Sequence, residues 1–436
     1  MTIPQPVPEP VRLDRTMGDE TGMIIPAHGE ALREEGAPWL TAAFRRFGSL
    51  APDNAVARIV RLERCPGGST GAKFFLDVAY EKPQPALPTA LFVKFSRDFA
   101  DFRRDHPGRY EMAAEVAFMA LARDPGFPVA VARPFFADYE METGTGLVIT
   151  ERIAFGEGVI EAHRAKCLDF LTMDDPIPYY RATVTALARL AGAHKSGRLS
   201  PDIEVLFPWD PVAGSADPIR HDRPALEAEL DHCRQFVLRC PQHFPAEVRS
   251  GAFLDRMRSE ALSIREHEAV LQRFLTGDPA MIALNHWNAH IDNCFFWHEG
   301  SVLRCGLIDW GRGGQITFGA TLWGALSAAH HDIWDVHLDA LLALFVEEYR
   351  RAGGPAITTE ALENHLMVHI ATMGVARVLA FPEIIEFRLP GIGEASGPHD
   401  PAILAIDPAR NCLHVLTVFL KLWERRDFGR RIRALL

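Results

Sequence analysis

The densest chemistry in the chain lies in the run Leu284-Asn-His-Trp-Asn-Ala-His-Ile-Asp-Asn-Cys-Phe-Phe296. His286, His290 and Asp292 fall with Asn285, Asn288 and Asn293 inside nine residues, bounded on both sides by apolar sequence. Sixteen positions after Asn293, a strand-like apolar stretch ends in Leu307-Ile-Asp309-Trp-Gly311. A carboxylate leaving such a strand just before a glycine is placed to hold a divalent cation. With Asn293 it offers two oxygen ligands, few enough for Mg²⁺, which keeps several waters and takes its remaining ligands from phosphates. Earlier in the chain, Cys65-Pro-Gly-Gly-Ser-Thr-Gly71 sets Gly67, Gly68 and Gly71 between two strand patterns. Backbone N–H groups there can approach phosphate oxygens without Cβ obstruction, and Ser69 and Thr70 add hydroxyl donors. A plain hairpin turn fits the same residues, and no Gly-Lys-Ser/Thr follows, so this is not a Walker loop. Lys94 stands in Leu-Phe-Val-Lys-Phe, where an unpaired buried charge is costly. Either it reaches phosphate oxygens while paired with a carboxylate of the next helix, for which Glu115 is the natural candidate, or it snorkels to solvent from a sheet edge.

Other clusters read differently. His286 and His290 are four apart, as in H-E-x-x-H zinc helices, but Trp287 occupies the place of the glutamate base and the sequence runs straight into a strand,. His330-His331 falls in a helical pattern in which neighbours face two directions, so the pair reads as a surface and a core histidine rather than a ligand pair. Trp323 and Trp334 lie on helix stripes and read as core or rim.

The elements that must position these residues change character along the chain. Pro4, Pro6, Pro8 and Pro10 make an extended arm,, and Pro38–Phe47 a short helix ahead of the first domain. Val56–Glu63 and Lys73–Tyr80 read as a hairpin around the glycine-rich turn, Ala90–Phe95 as a third strand, Arg109–Arg123 as a helix and Leu147–Ile153 as a further strand. Pro125, Pro128 and Pro134 punctuate the stretch between the last two. Beyond Gly156 helices dominate: Pro178–Lys195, Ala225–Cys240, Gly251–Phe274, Trp323–Arg351, Glu360–Ala380 and Asn411–Arg425. Two short strands, Asn293–Trp297 and Val302–Ile308, enclose a turn at Glu299-Gly300. The expected organisation is an N-terminal extension over residues 1–50, a small β-rich lobe over 51–153 and a large helical lobe over 154–436.

In this order and spacing the residues resemble the aminoglycoside phosphotransferase and choline-kinase-like enzymes, relatives of the protein kinases. That family combines a glycine-rich hairpin, a third-strand lysine, a helix glutamate, a catalytic loop H-G-D-x-H-x-x-N and a later I-D-W or I-D-F. The corresponding residues here are His286-Trp-Asn-Ala-His-Ile-Asp-Asn293 and Ile308-Asp-Trp310, and the resemblance covers roughly residues 55–350. It implies an α+β, bilobal protein-kinase-like fold with a nucleotide pocket between the lobes. It also implies ATP or GTP with Mg²⁺ as cofactors, Gly67–Gly71 over the phosphates, Lys94 tied by Glu115, and Asn293 and Asp309 on the metal. Thr150-Glu151-Arg-Ile153 then falls at the hinge, where backbone groups of Glu151 and Ile153 would contact the purine base.

One departure bears on mechanism. The family's catalytic aspartate falls on Asn288, five positions before Asn293 as in the family pattern, and the family's glycine is Trp287. An amide orients a hydroxyl but cannot take its proton, a contribution worth about 10²–10⁴-fold. Phosphoryl transfer draws most of its acceleration from positioning and metal electrostatics, and His290 or Asp292 is available as a substitute base. The expectation is therefore a small-molecule kinase, with a catalytically silent nucleotide-binding pseudokinase as the alternative. The bulk composition agrees. With 436 residues, 48% of them hydrophobic, the chain can bury a large core; its net charge of −11 argues against a nucleic-acid partner and suits a small, cationic acceptor,. No Ala-Pro-Glu activation segment suggests a protein substrate. Seven scattered cysteines without a C-x-x-C pair read as reduced thiols,. Neither a signal peptide nor a membrane-spanning run is evident, so a cytoplasmic location is expected. Oligomeric state is left open.

Overall fold

The computed structural model describes residues 13–65, 71–96 and 110–436. The Pro-rich arm and Gly67, Gly68, Ser69 and Thr70 lie outside the described residues. The chain divides into two compact units, Met1–Ala154 with Leu307–Gly313, and Phe155–Gly306 with Gly314–Leu436.

The first unit is built on a five-stranded antiparallel sheet whose spatial order is Val56–Cys65, Lys73–Tyr80, Ala90–Phe95, Thr145–Glu151, Pro134–Glu140. Apolar residues Leu76, Val78, Leu91, Val93, Leu147 and Ile149 are all buried on it. The last strand falls in the stretch that Pro125, Pro128 and Pro134 punctuate, where no strand was expected. Pro134 opens it, at the end position where a missing N–H is tolerated,. The helix Glu111–Leu121 packs across Thr145–Glu151 and Pro134–Glu140. Close approach requires Gly146, since a Cβ there would lie 2.5 Å from Met112 Cγ. The N-terminal helix is longer than the Pro38–Phe47 expected: it spans Gly29–Phe47, is capped by His28 and bends where Gly36 takes φ 66°. That bend is what Gly36 and Pro38 signal in the sequence. Trp39 and Phe44 stack edge-on against Phe136 and Phe135, so the helix is part of this unit's core rather than an appendage.

The second unit is mainly helical. Ile177–Lys195 packs against Leu338–Arg351 and against the short strand Ile282–Asn285, which pairs antiparallel with Gly314–Thr317. Two expected helices are broken. Gly251–Phe274 is divided at His267 into Gly251–Glu266 and Glu268–Thr276. Trp323–Arg351 is interrupted after Leu326, resumes through a π-helical turn at Ile333–His337 and continues as Leu338–Arg351. Trp323 and Trp334 are core residues on either side of that interruption. His330 lies in it, and His331 opens the helical run that follows. They do not face opposite ways; their ring centroids are 3.8 Å apart. Arg223–Arg239, Thr359–Arg377 and Asp407–Arg426 complete the main helices, close to their expected positions. Thr359–Arg388 is long and apolar enough to cross a membrane, a run the sequence reading did not anticipate, but 67% of its most apolar window is buried within the unit. All seven cysteines are free thiols, five of them buried.

Candidate functional site

In the first unit, Lys73 and Lys94 are register partners on adjacent strands. Both side chains lie on one face of the sheet, directed to the turn that carries Asp309. Lys94 Nζ donates to Glu115 Oε2 at 2.6 Å and to Asp309 Oδ1 at 2.5 Å, and Lys73 Nζ lies 3.9 Å from Asp309 Oδ2. The lysine is 5% exposed and so is Glu115. Burial alone would discourage the ammonium charge, but Glu115 and then Asp309 outweigh it and hold the Lys94 pKa above its ordinary value,. The lysine is therefore a fixed cation, and the snorkelling alternative is excluded.

Local sequence explains the arrangement. Apolar residues on both sides of Lys94 bury its strand, and the helix stripe of Met112, Val116 and Met119 turns Glu115 inward with it. Asp309 has φ 64° and Arg312 φ 61°. A left-handed non-glycine residue costs about 1–3 kcal/mol and persists where surrounding contacts over-determine it. Here the turn is pinned by Trp310, whose ring stacks on Phe118 at 4.3 Å, and by hydrogen bonds from Arg312 N–H to Glu111 O and from Gly313 N–H to Trp310 O. Gly71, the described end of the glycine-rich turn, has φ 82°, and a Cβ on it would fall 2.0 Å from Phe95 O. Only glycine lets the hairpin return so close to the third strand. At the other end of the sheet, Glu151 N–H is taken by Arg133 O and Arg152 N–H by Ala90 O. Ile153 N–H follows, half-buried and with no hydrogen bond among the described residues.

In the second unit, Ile282–Asn285 leads into the histidine- and asparagine-rich loop. Asn285 Oδ1 accepts from His286 N–H, His286 Nδ1 accepts from Asn288 N–H at 3.1 Å, and Asn293 Nδ2 donates to Asn288 O at 2.9 Å. These bonds fix the five-residue step from Asn288 to Asn293. The donation orients Asn293 so that its amide oxygen is left for another partner. Asn288's side-chain amide, half-buried, makes no hydrogen bond among the described residues. His290 turns inward: Nε2 meets Ser327 Oγ at 2.7 Å, and Nδ1 is enclosed without a partner. Burial pulls its pKa down to about 4, although Asp292 works the other way. Asp292 Oδ2 lies 3.2 Å from Lys166 Nζ, its Oδ1 is enclosed, and its backbone carbonyl meets His163 Nε2 at 2.9 Å. Trp287 is 37% exposed. Its carbonyl rests on Gly324, where a Cβ would come within 1.8 Å.

Of the expected site residues, Lys94, Glu115 and Asp309 are brought together in one unit, and Asn288, His290, Asp292 and Asn293 share one loop of the other. Lys73 was not foreseen. Its only sequence signal is that it heads the strand paired with that of Lys94. Asp309 and Asn293 each carry a side-chain oxygen, the ligand type that Mg²⁺ takes.

No family model matches the chain, and no curated protein matches it. Among solved structures the chain is similar to a choline kinase from Cryptosporidium parvum, with 11% identity over 86% of this chain and 91% of that one, at TM-score 0.41. It is similar to a choline/ethanolamine kinase family protein from Mesorhizobium loti, with 16% identity over 86% and 92%, at TM-score 0.38. It is also similar to a spectinomycin phosphotransferase solved with ADP and spectinomycin, with 11% identity over 87% and 94%, at TM-score 0.38.

Proposed function

We propose that this protein is an ATP- and Mg²⁺-dependent phosphotransferase acting on a hydroxyl of a small molecule. The observation that carries the reading is Lys94 bridging Glu115 and Asp309, residues 21 and 215 positions away from it in sequence, inside an otherwise apolar core. A buried lysine held by two carboxylates, one of them on a strained turn beside a second lysine, serves phosphate oxygens and a metal. In this reading Lys94 and Lys73 neutralise phosphate charge, Glu115 holds Lys94 in place, Asp309 and Asn293 hold Mg²⁺, and the Glu151–Ile153 backbone meets the purine. The metal supplies charge neutralisation on the transferred phosphoryl group. Asn288 orients the acceptor hydroxyl through its amide oxygen. The new O–P bond forms as the bond to the leaving diphosphate breaks, and the hydroxyl proton goes to solvent or to Asp292. His290, bonded to Ser327, holds the loop.

Asn288 itself favours a second reading, a nucleotide-binding protein that transfers nothing. One experiment separates the possibilities in sequence. Thermal stability is measured with and without ATP or GTP and Mg²⁺, because a ligand that binds only the folded state raises the melting temperature. A Mg²⁺-dependent rise in the wild type that disappears in Asp309→Ala supports the site. Turnover with amino alcohols or aminoglycosides then supports the enzyme, and a rise without turnover supports the silent reading. Equal shifts in wild type and Asp309→Ala would overturn both.

A further inference from the structure

The break between Leu326 and Ile333 opens onto a cavity of about 280 Å³ in the second unit, walled in part by His330, His331, His243, His399, His414 and Arg410. Three features of this wall are unexplained by phosphoryl transfer. First, the ligand atoms of His330, His331 and Asp332 all lie within 4.8 Å of one another. His330 Nδ1 is 3.3 Å from Asp332 Oδ2 and His331 Nε2 is 3.5 Å from Asp332 Oδ1. The edge of a tetrahedron with bonds of 2.0–2.1 Å is about 3.3 Å, close to these two separations, each of which runs to a different oxygen of Asp332,. Second, Asp332 N–H donates to His330 Nδ1 at 3.4 Å, a long bond that spends the nitrogen's lone pair and that an ion on this nitrogen would replace. Third, His243 and Arg410 are 2% and 7% exposed, yet His243 Nδ1 and Arg410 Nε have no partner. His243 spends its other nitrogen on Ile392 O, so the cavity wall carries unmet hydrogen-bonding capacity.

We propose that His330, His331 and Asp332 bind a zinc-class divalent ion at the edge of this cavity, with a coordination position left for water or a small anion. Two imidazoles and a carboxylate select Zn²⁺ and its neighbours over Mg²⁺ and Ca²⁺, which take oxygen ligands. Three protein ligands with a fourth place open is the arrangement of zinc sites that take up a further ligand. The π-helical turn Ile333–His337 that follows directly is the kind of local insertion that recurs at functional sites,. The site is independent of nucleotide binding and of Asp309.

The test uses the metal-free full-length chain titrated with Co²⁺ alone and then with Zn²⁺. The expected result is a single equivalent of Co²⁺ with the intense visible absorption of a low-coordinate nitrogen–oxygen site, displaced by Zn²⁺. His331→Ala and Asp332→Asn should each weaken Zn²⁺ binding by more than about 100-fold, beyond the cost of losing an outer-shell partner. Asp309→Ala and His399→Ala should leave the spectrum intact. Asp332→Asn alters an exposed side chain, so its folding can be checked by melting temperature before the titration. Absence of binding at metal concentrations well above the protein's, retention of the signal in both ligand variants, or its loss in Asp309→Ala would each overturn the proposal.

Discussion

The Lys94 cluster of the first unit and the Asn288 loop of the second make opposite use of charge. Lys94, Glu115 and Asp309 are joined by two ion-pair hydrogen bonds, with Lys73 close by, so that two cations face two anions. The loop is held almost wholly by neutral bonds, amide to backbone and imidazole to backbone, and its one carboxylate, Asp292, is engaged by Lys166. On the proposed reading, charge is concentrated where phosphate would be handled and sparse where a proton would be taken. The two tasks differ in what they require. Holding a nucleotide needs fixed countercharges, whereas removing a proton needs a base, and an amide is not one. The comparison teaches that, on the proposed reading, nucleotide binding and the rate of transfer rest on different side chains and can be changed separately.

The largest expected effect comes from restoring that base. Asn288→Asp should raise kcat by about 10²–10⁴-fold without changing the Mg²⁺·ATP-dependent rise in melting temperature, as read from steady-state turnover and a thermal scan on the same preparation. An unchanged rate would mean that the loop has lost more than a base. Next in size is the effect of breaking the charge balance in the other unit. Lys94→Met leaves Glu115 buried without its partner, a change that costs about 3–5 kcal/mol and is measurable by urea unfolding. Adding Glu115→Gln should recover part of that loss, because the pair is coupled. Full additivity of the two substitutions would show that Lys94 is held by Asp309 alone.

The charged cluster was legible in the sequence, and the reason is local. A lysine within Leu-Phe-Val-Lys-Phe must find a carboxylate or leave the core, and the next helix offered Glu115 on its apolar stripe. The strand Ala90–Phe95 was read to the residue because nothing polar but Lys94 interrupts it. What escaped was structure without a local signature. The strand Pro134–Glu140 hid behind its own leading proline. The helix expected over Trp323–Arg351 breaks near His330 with neither glycine nor proline to mark the place, because the break is set by tertiary contacts: His330 N–H donates to buried Asp169, and Ala329 O accepts from His414. Lys73 takes its meaning from strand register, which a sequence read along one strand does not show. The inward turn of His290 toward Ser327 likewise depends on a partner 37 positions away.

A third prediction tests whether the loop is positioned from below. A methyl group at Gly324 would fall 1.8 Å from Trp287 O and 3.3 Å from Asn288 N, and neither backbone atom can yield without moving Asn288. Gly324→Ala should cost about 1–3 kcal/mol by overpacking and lower kcat by more than it weakens the Mg²⁺·ATP-dependent rise in melting temperature, since Lys73, Lys94, Glu115 and Asp309 are untouched and Asn293 is the one proposed ligand in the displaced loop. Gly391→Ala, in the same unit with open space around it, is the matched control and should change neither quantity. If Gly324→Ala abolished the nucleotide-dependent shift, the division of labour between cluster and loop would fail.

The smallest effect is in pH. Burial holds the His290 imidazole at about 4 and that of His369, 3% exposed, at about 3, against about 6.5 in an unfolded chain. Between those values the unfolded state binds protons that the folded state refuses, so folding stability must rise with pH there and level off above about 6.5. The contribution is fully present at neutral pH and is lost as pH falls toward the folded-state values, with a slope of up to about 1.4 kcal/mol per pH unit for each group. Urea unfolding followed between about pH 6.5 and pH 5 should show this slope, and His290→Asn should reduce it by the share of one group. The substitution removes the titrating ring but keeps a polar group near Ser327, so a change in slope reports the proton and a change in absolute stability reports packing. A slope unaffected by His290→Asn would mean that the ring is already open to water in the folded protein. The loop would then possess, in His290, a titratable group that Asn288 does not provide.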